Sequence, residues 1–379
     1  MLQSKTSNSN LLQKLLPNNV HFNFNYINAM NKSLKTIIGC FFVACAITAC
    51  TGNEEIRMPE DCGAERTQLQ FVMHKQLPDG ITRTEQTTAG DNNYTTEFSD
   101  GDEVGIFVYD ASSGVDDTDE PIGANVRYAY DATSRTWNPV DGEPISLPRN
   151  WKAVNVYAYY PAVTATDVTY TAISHSIRSA QSGADNYAQS DFLVASLQLK
   201  AEAASTLITT GADEAPKVTA ALTFNHVCAL LEVTVDGEAV ADYKGVQPTV
   251  TLLSAKSDML VDLSADRSAA DFAGFTVPES KTVNIAMLPV EPANAADATE
   301  WKFCAVVPQQ VITPDAKLLE ITFRPAVPAV GKVYSYQLPV DKTLSLSAGK
   351  LRKVRVAISA ATPSGNDVKS EAMIAQTSE

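Results

Sequence analysis

Short runs in which apolar and polar residues alternate recur from Gln68 to Ile358, separated by turn-forming residues, and no long run of helical period interrupts them. A side-chain repeat of two fits a pleated strand with one buried face and does not fit a helix. Gln68–Met73, Val104–Tyr109, Arg127–Tyr130, Ala153–Tyr160 and Asp191–Ala195 read as strands in the first half. In the second half the strands are Val218–Val235, Thr249–Leu253, Val283–Leu288, Lys302–Val307, Leu319–Phe323, Val333–Leu338 and Leu351–Ile358. Asp131–Thr136 reads as a hairpin turn, and Asp236-Gly237 is a turn dipeptide. Strands at this spacing predict an all-β protein built of antiparallel β-sandwiches. With 379 residues the chain exceeds one ordinary core, which predicts two sandwiches in tandem. The Ala-, Thr- and Gly-rich stretch 200–215 marks the expected boundary. It gives an N-terminal domain over 66–210, a C-terminal domain over 211–360 and a polar tail over 361–379.

Residues 1–49 stand apart. They hold Lys5, Lys14, Lys32 and Lys35 and no acidic residue. Met30-Asn-Lys-Ser-Leu-Lys35 is a short basic region, and Ile37–Ile47 is an apolar run too short to span a bilayer. Ile47-Thr48-Ala49-Cys50 follows, with the form of a bacterial lipobox: one aliphatic residue, two small ones and an acceptor cysteine. Order and spacing predict a signal peptide that ends at Cys50, where a diacylglyceryl group on the thiol holds the protein at a membrane. The Asn-rich residues 1–29 fit no signal peptide, so Met30 is the expected start. Thr51 after Cys50, where Asp would retain an enteric lipoprotein at the inner membrane, favours the outer membrane. Residues 50–65 read as a lipidated tether.

The chemistry of the chain excludes more than it offers. A formal charge of −15 repels phosphate backbones, which argues against nucleic acid. Beyond Cys50 the only histidines are His74, His175 and His226, too far apart in sequence for a zinc motif. No nucleophile elbow or phosphate loop is present, so no enzyme, metal or cofactor is expected. Asp100-Gly101-Asp102-Glu103 and Asp116-Asp117-Thr118-Asp119-Glu120 lack the spacing of a calcium loop and read as solvated acidic turns. Cys228 and Cys304 lie in apolar runs and read as buried thiols, with a bridge between them as the alternative. Alternation puts Tyr157 and Tyr159 on one strand face and Val154, Val156 and Ala158 on the other. Trp137, Trp151 and these tyrosines would be the stacking platform of a glycan-binding surface lipoprotein of a nutrient-uptake system.

A lipobox comes first, then Phe98-x-x-Gly101-Asp102-x-Val104-Gly105-Ile106-Phe107, Val156-Tyr157-Ala158-Tyr159-Tyr160-Pro161 and Asp191-Phe192-Leu193-x-Ala195. Leu222-x-Phe224-x-His226-x-x-Ala229-Leu230-Leu231-x-Val233-x-Val235, Val306-Val307-Pro308-Gln309 and Leu346-x-Ala348-Gly349-Lys350 follow in order. Together, over residues 66–358, they resemble the fimbrillin family of lipoproteins. The resemblance implies two transthyretin-like antiparallel β-sandwich domains in tandem and a structural or adhesive role in a cell-surface pilus of the type V class. It implies delivery to the outer membrane as a lipoprotein, and then cleavage by an arginine-specific protease that removes the first strand. A strand of another subunit fills the opened groove by β-augmentation. The partners would be other pilus subunits, the outer membrane through the lipid, and host or bacterial surface ligands.

In this chain the displaced strand would be the run of Leu69, Phe71 and Met73. Arg83, in a Thr-Arg-Thr context within a polar loop, is the expected cleavage site. Arg57 and Arg66 precede the strand, and a cut at either would leave it in place. After Ile358 only Val368, Ala372 and Ile374 share an apolar strand face, with Ser370 among them. That is a poor donor strand, and it favours a tip or minor subunit over a stalk subunit.

Overall fold

The computed structural model describes residues 66–76, 97–117, 120–165, 168–204, 216–265, 274–279, 281–292, 294–326 and 331–359. Cys50, Arg83 and the tail beyond Ser359 lie outside them. The strands are β1 (Thr67–Lys75), β2 (Glu103–Asp110), β3 (Gly123–Asp131), β4 (Thr136–Pro139), β5 (Ser146–Leu147), β6 (Ala153–Tyr160) and β7 (Ile173–Ser176). Next come β8 (Leu193–Lys200), β9 (Lys217–His226), β10 (Ala229–Asp236), β11 (Thr249–Lys256), β12 (Asp258–Val261), β13 (Phe275–Thr276) and β14 (Thr282–Ala286). The last are β15 (Leu288–Val290), β16 (Trp301–Val307), β17 (Gln310–Ile312), β18 (Lys317–Phe323), β19 (Lys332–Gln337), β20 (Leu344–Leu346) and β21 (Leu351–Ala357). The helices α1 (Ala184–Ser190), α2 (Ala201–Ala204) and α3 (Glu238–Asp242) are short. None of the described helices is long and apolar enough to cross a membrane. The all-β expectation holds.

The first sheet runs β4-β3-β2-β6-β8-β9-β1-β5 and folds back on itself, since β8 and β9 pair only at Leu193↔His226 and Val194↔Asn225. Leu69, Phe71 and Met73 of β1 and Val218, Ala220, Leu222 and Phe224 of β9 thereby share a core with Val104, Ile106 and Val108 of β2 and Val154, Val156 and Ala158 of β6. The expected division at 210/211 therefore falls ahead of a strand that packs in the first core, and the chain passes to the second core at Val227. The second core lies between the sheets β15-β16-β10-β21 and β14-β11-β18-β19. It buries Leu231, Val233 and Val235 with Phe303, Leu252, Leu319 and Phe323. Pairing is antiparallel except for β1 with β9 and β10 with β21, which are parallel. The single run expected over Val283–Leu288 is split between β14 and β15.

The halves are stitched together. β2 is buried along almost its whole length because both its faces are covered. Its outer side chains, Phe107 and Tyr109, join Tyr159 and Phe192 in the cluster that continues into the second core. β7 pairs with β12 of the second half, from Asp258↔Ser176 to Val261↔Ile173. The Gln181 side chain, fully buried, donates to the Val306 carbonyl at 2.8 Å and accepts from the Val306 N–H at 2.8 Å. It thus satisfies both backbone groups of one buried residue.

Two positions expose this packing to test. A Cβ on Gly105 would stand 2.3 Å from the Tyr159 ring and 2.7 Å from Asn125 Oδ1. Tyr159 cannot yield, because it is fully buried and its hydroxyl donates to Asn125 Oδ1 at 2.6 Å. Gly105→Ala is expected to cost about 1–3 kcal/mol in chemical denaturation, the range for overpacking a tight core. His175 on β7 is buried against Phe192, its Nε2 3.1 Å from the Ser190 carbonyl, and burial pushes its pKa down to about 4. The unfolded chain then binds a proton between pH 6.5 and 4 that the folded chain refuses, so stability is lost as pH drops through that window. The loss is up to about 3 kcal/mol at 1.36 kcal/mol per pKa unit. His175→Gln is expected to remove that slope in denaturation curves recorded from pH 7 to 4. A slope equal to the wild type's would show that the imidazole is not its source.

Candidate assembly site

β1 is covalently remote from the sheet it completes. After Gln76 the next described residue is Glu97, yet β1 lies parallel to β9, in register from Gln68↔Lys217 to Lys75↔Phe224. On its other edge β5 pairs only Thr67 and Gln68, with one further bond from the Leu69 N–H to the Ile145 carbonyl at 2.9 Å. Beyond that, among the described residues, no strand pairs with this edge of Gln70–Lys75. The side chains alternate as the sequence predicts: Leu69, Phe71 and Met73 are buried, while Gln70, Val72 and His74 are exposed. Phe71 meets Tyr128 edge-on with ring centroids 4.9 Å apart. Burying these three side chains contributes on the order of 6 kcal/mol, at about 2 kcal/mol for each large apolar side chain.

The end of β1 is fastened differently. Lys75 follows Met73 on the same face, and its Nζ stands 4.5 Å from the centroid of the Phe98 ring and 5.1 Å from that of Tyr160. It is 3.6 Å from Asp102 Oδ2, with only 14% of the lysine side chain and 16% of the aspartate side chain exposed. Asp102 is held in place by the Ser99 N–H, which donates to Oδ2 at 2.8 Å, and by the Tyr160 hydroxyl, which donates to Oδ1 at 3.0 Å. Burial and the neighbouring carboxylate push the Tyr160 phenol well above its ordinary pKa, so it stays a donor. Phe98 also meets Trp137 at 4.9 Å and Phe224 at 5.4 Å, both edge-on. An ammonium group therefore sits between two aromatic faces and a fixed carboxylate. The sequence reading missed Lys75. The signal was available, since Lys75 continues the Leu69-Phe71-Met73 alternation by one step.

The other candidates resolve into packing. Asp102 belongs to this socket, and Asp116 accepts from Tyr157 and Tyr170 hydroxyls at 2.9 and 3.1 Å and from Asn155 at 2.7 Å. These two carboxylates are thus not solvated turn residues, as expected of their acidic runs, because buried phenols and amides need acceptors. Trp137 is 8% exposed, Trp151 packs against the first core, and Tyr159 is fully buried. Trp137 and Tyr159 present no open stacking face, and Trp151 is half-buried. His226 Nδ1 pairs with Asp191 at 2.8 Å, and His74 is exposed on β1. Cys228 and Cys304 are buried free thiols, and burial raises the pKa of Cys228. Among the described residues no cluster of His, Cys, Asp and Glu could hold a metal ion. An open cleft of 490 Å³ adjoins the socket, lined by Asp102, Tyr160, His175 and Arg178.

Comparison with known proteins places the fold. No curated protein matches the chain. A solved structure of a candidate cell adhesion protein from Bacteroides ovatus superposes with a TM-score of 0.52 at 14% identity, covering 82% of this chain and 96% of that one. A candidate cell adhesion protein from Bacteroides uniformis gives 0.49 at 17% identity, over 82% and 99%. A fimbrial assembly protein from Parabacteroides distasonis gives 0.34 at 12%, over 78% and 92%. The model of a family described as fimbrillin-like matches residues 82–376, most of the chain, and the chain belongs to that fimbrillin-like family.

Proposed function

We propose that this protein is a structural or adhesive subunit of a cell-surface pilus of the type V class, joined to its neighbours by strand exchange. The observation that carries the reading is β1. It closes the first core with Leu69, Phe71 and Met73, yet it reaches the rest of the chain only through residues 77–96, which contain Arg83. A cut at Arg83 would leave β1 held by non-covalent contacts alone. The vacated edge of β9 then needs a strand with alternate apolar side chains, because a row of unpaired backbone groups beside an open core is a template for pairing.

Two further parts of the reading rest on the sequence. Cys50 carries the lipid that holds the precursor at the outer membrane. The tail after Ile358 is a poor donor, which favours a tip or minor subunit. The role is structural rather than enzymatic. A glycan-binding lipoprotein is the alternative, and it would need a ring platform other than Trp137 and Tyr159.

Treatment of the purified lipidated precursor with an arginine-specific protease is expected to release the segment through Arg83, read by intact mass. In the presence of other pilus subunits it is expected to give SDS-resistant oligomers. Arg83→Ala should leave the segment attached and the protein monomeric. Oligomers that form equally well from Arg83→Ala, with β1 still attached, would sink the strand-exchange reading.

A further inference from the structure

The groove that holds β1 is not uniformly apolar. Along its floor the side chains of β1 run Leu69, Phe71, Met73 and then Lys75, all on one face. The first three meet apolar walls. The fourth meets Asp102 at 3.6 Å and the rings of Phe98 and Tyr160 at 4.5 and 5.1 Å. Three bonds fix the socket independently of β1: Ser99 N–H to Asp102 Oδ2, Tyr160 hydroxyl to Asp102 Oδ1, and Gly101 N–H to the Tyr130 carbonyl at 2.9 Å. Phe98 is fixed as well, wedged against Trp137 and Phe224. If β1 leaves, its lysine leaves with it, and a strand that takes its place covers Asp102 again, with or without a cation. A carboxylate stripped of its partner in such a place is costly, and costlier still under an apolar side chain.

The geometry points to this socket as a specificity site for the incoming strand. We infer that Phe98, Tyr160 and Asp102 select a strand from a different subunit that carries Lys or Arg two residues beyond its last buried apolar side chain. The inference rests on the strand-exchange reading above and adds to it the chemistry of the partner. Charge and spacing argue against a second copy's tail as the occupant. Val368, Ser370, Ala372 and Ile374 share a face, but the same face continues to Gln376 in one direction and Asn366 in the other, and Lys369 falls on the opposite face. The tail offers the socket no cation in either orientation.

The test uses the full chain with a site-specific protease sequence placed around Arg83. After the cut, exchange of fluorescein-labelled peptides into the protein is followed by polarisation. The first probe is the β1 sequence itself, Thr67–Lys75. The second differs only by Lys75→Met, which keeps the length of the stem and removes the charge. The third carries Lys75→Arg, and the fourth spans residues 366–376. The lysine and arginine peptides should bind within about threefold of each other, and the methionine peptide about tenfold more weakly, the scale of a shielded cation–aromatic and ion-pair contact. The tail peptide should bind more weakly than the lysine peptide. Asp102→Asn in the protein should shrink the lysine–methionine gap. The comparison of peptides on the unmutated protein stands even where that variant folds poorly. Equal binding of the lysine and methionine peptides, or tail binding as tight as the lysine peptide's, would overturn the socket and leave strand exchange intact. If no peptide enters the cut protein, strand exchange fails and the socket with it.

Discussion

The backbone edge of β9 that faces β1 governs the first core. Val218, Ala220, Leu222 and Phe224 point inward from β9, so its edge borders the core and its N–H and C=O groups require partners. β1 supplies them from about 150 residues earlier in the chain, in a parallel ladder that no hairpin could make. A distant, parallel strand closes the core at the cost of a long connection, and a long connection is where a chain can be cut without disturbing what it joins. β1 thus completes the first core although it stands far from β9 in the sequence.

The rest of the protein is braced by contacts that do not involve β1. β2, β6 and β8 carry side chains into both cores, so their sheet is buried on two faces. The β7–β12 pairing and the Gln181 bonds to Val306 tie segments from one half to strands of the other. Neither depends on β1. The second core has its own parallel closure, β21 against β10, and there the strand is continuous with its sandwich through Gly349. Gly349 adopts φ +67°, donates to the Cys228 carbonyl at 2.9 Å and would bring a Cβ to 3.1 Å from the His226 carbonyl. A side chain there would be strained in conformation and crowded by the β9–β10 junction.

Local pattern was legible in the sequence, and distant pairing was not. Alternation located β1, β2, β6, β16 and β21 within a few residues, because one buried face writes its period directly into the chain. It assigned the two faces of Tyr157–Tyr160 correctly, with Val156 and Ala158 in one core and Tyr159 in the other. It could not say that β9 belongs with the strands before it, since a composition shift does not say which core the next strand joins. The short strands β5, β7, β13 and β17 carry too few residues to show a period. Lys75 and Tyr160 reach Asp102, and Asn155, Tyr157 and Tyr170 reach Asp116, from segments far along the chain, so these carboxylates looked like solvated turns.

The motifs that suggested the family gain a physical meaning from this arrangement. Phe98 and Asp102 of the first motif, Tyr160 of the second and Phe224 of the fourth meet at the end of β1 around one lysine. Asp191 of the third pairs with His226 of the fourth, beside the crossing from the first core to the second. Gln309 and Ala348, from the last two motifs, join through a bond of 3.2 Å near the same crossing. Residues scattered over some 250 positions thus converge on two places, the end of β1 and the junction between the two cores. A ligand-binding protein would be expected to spend such residues on an open face. Here they lie instead at the end of β1 and at the junction between the two cores.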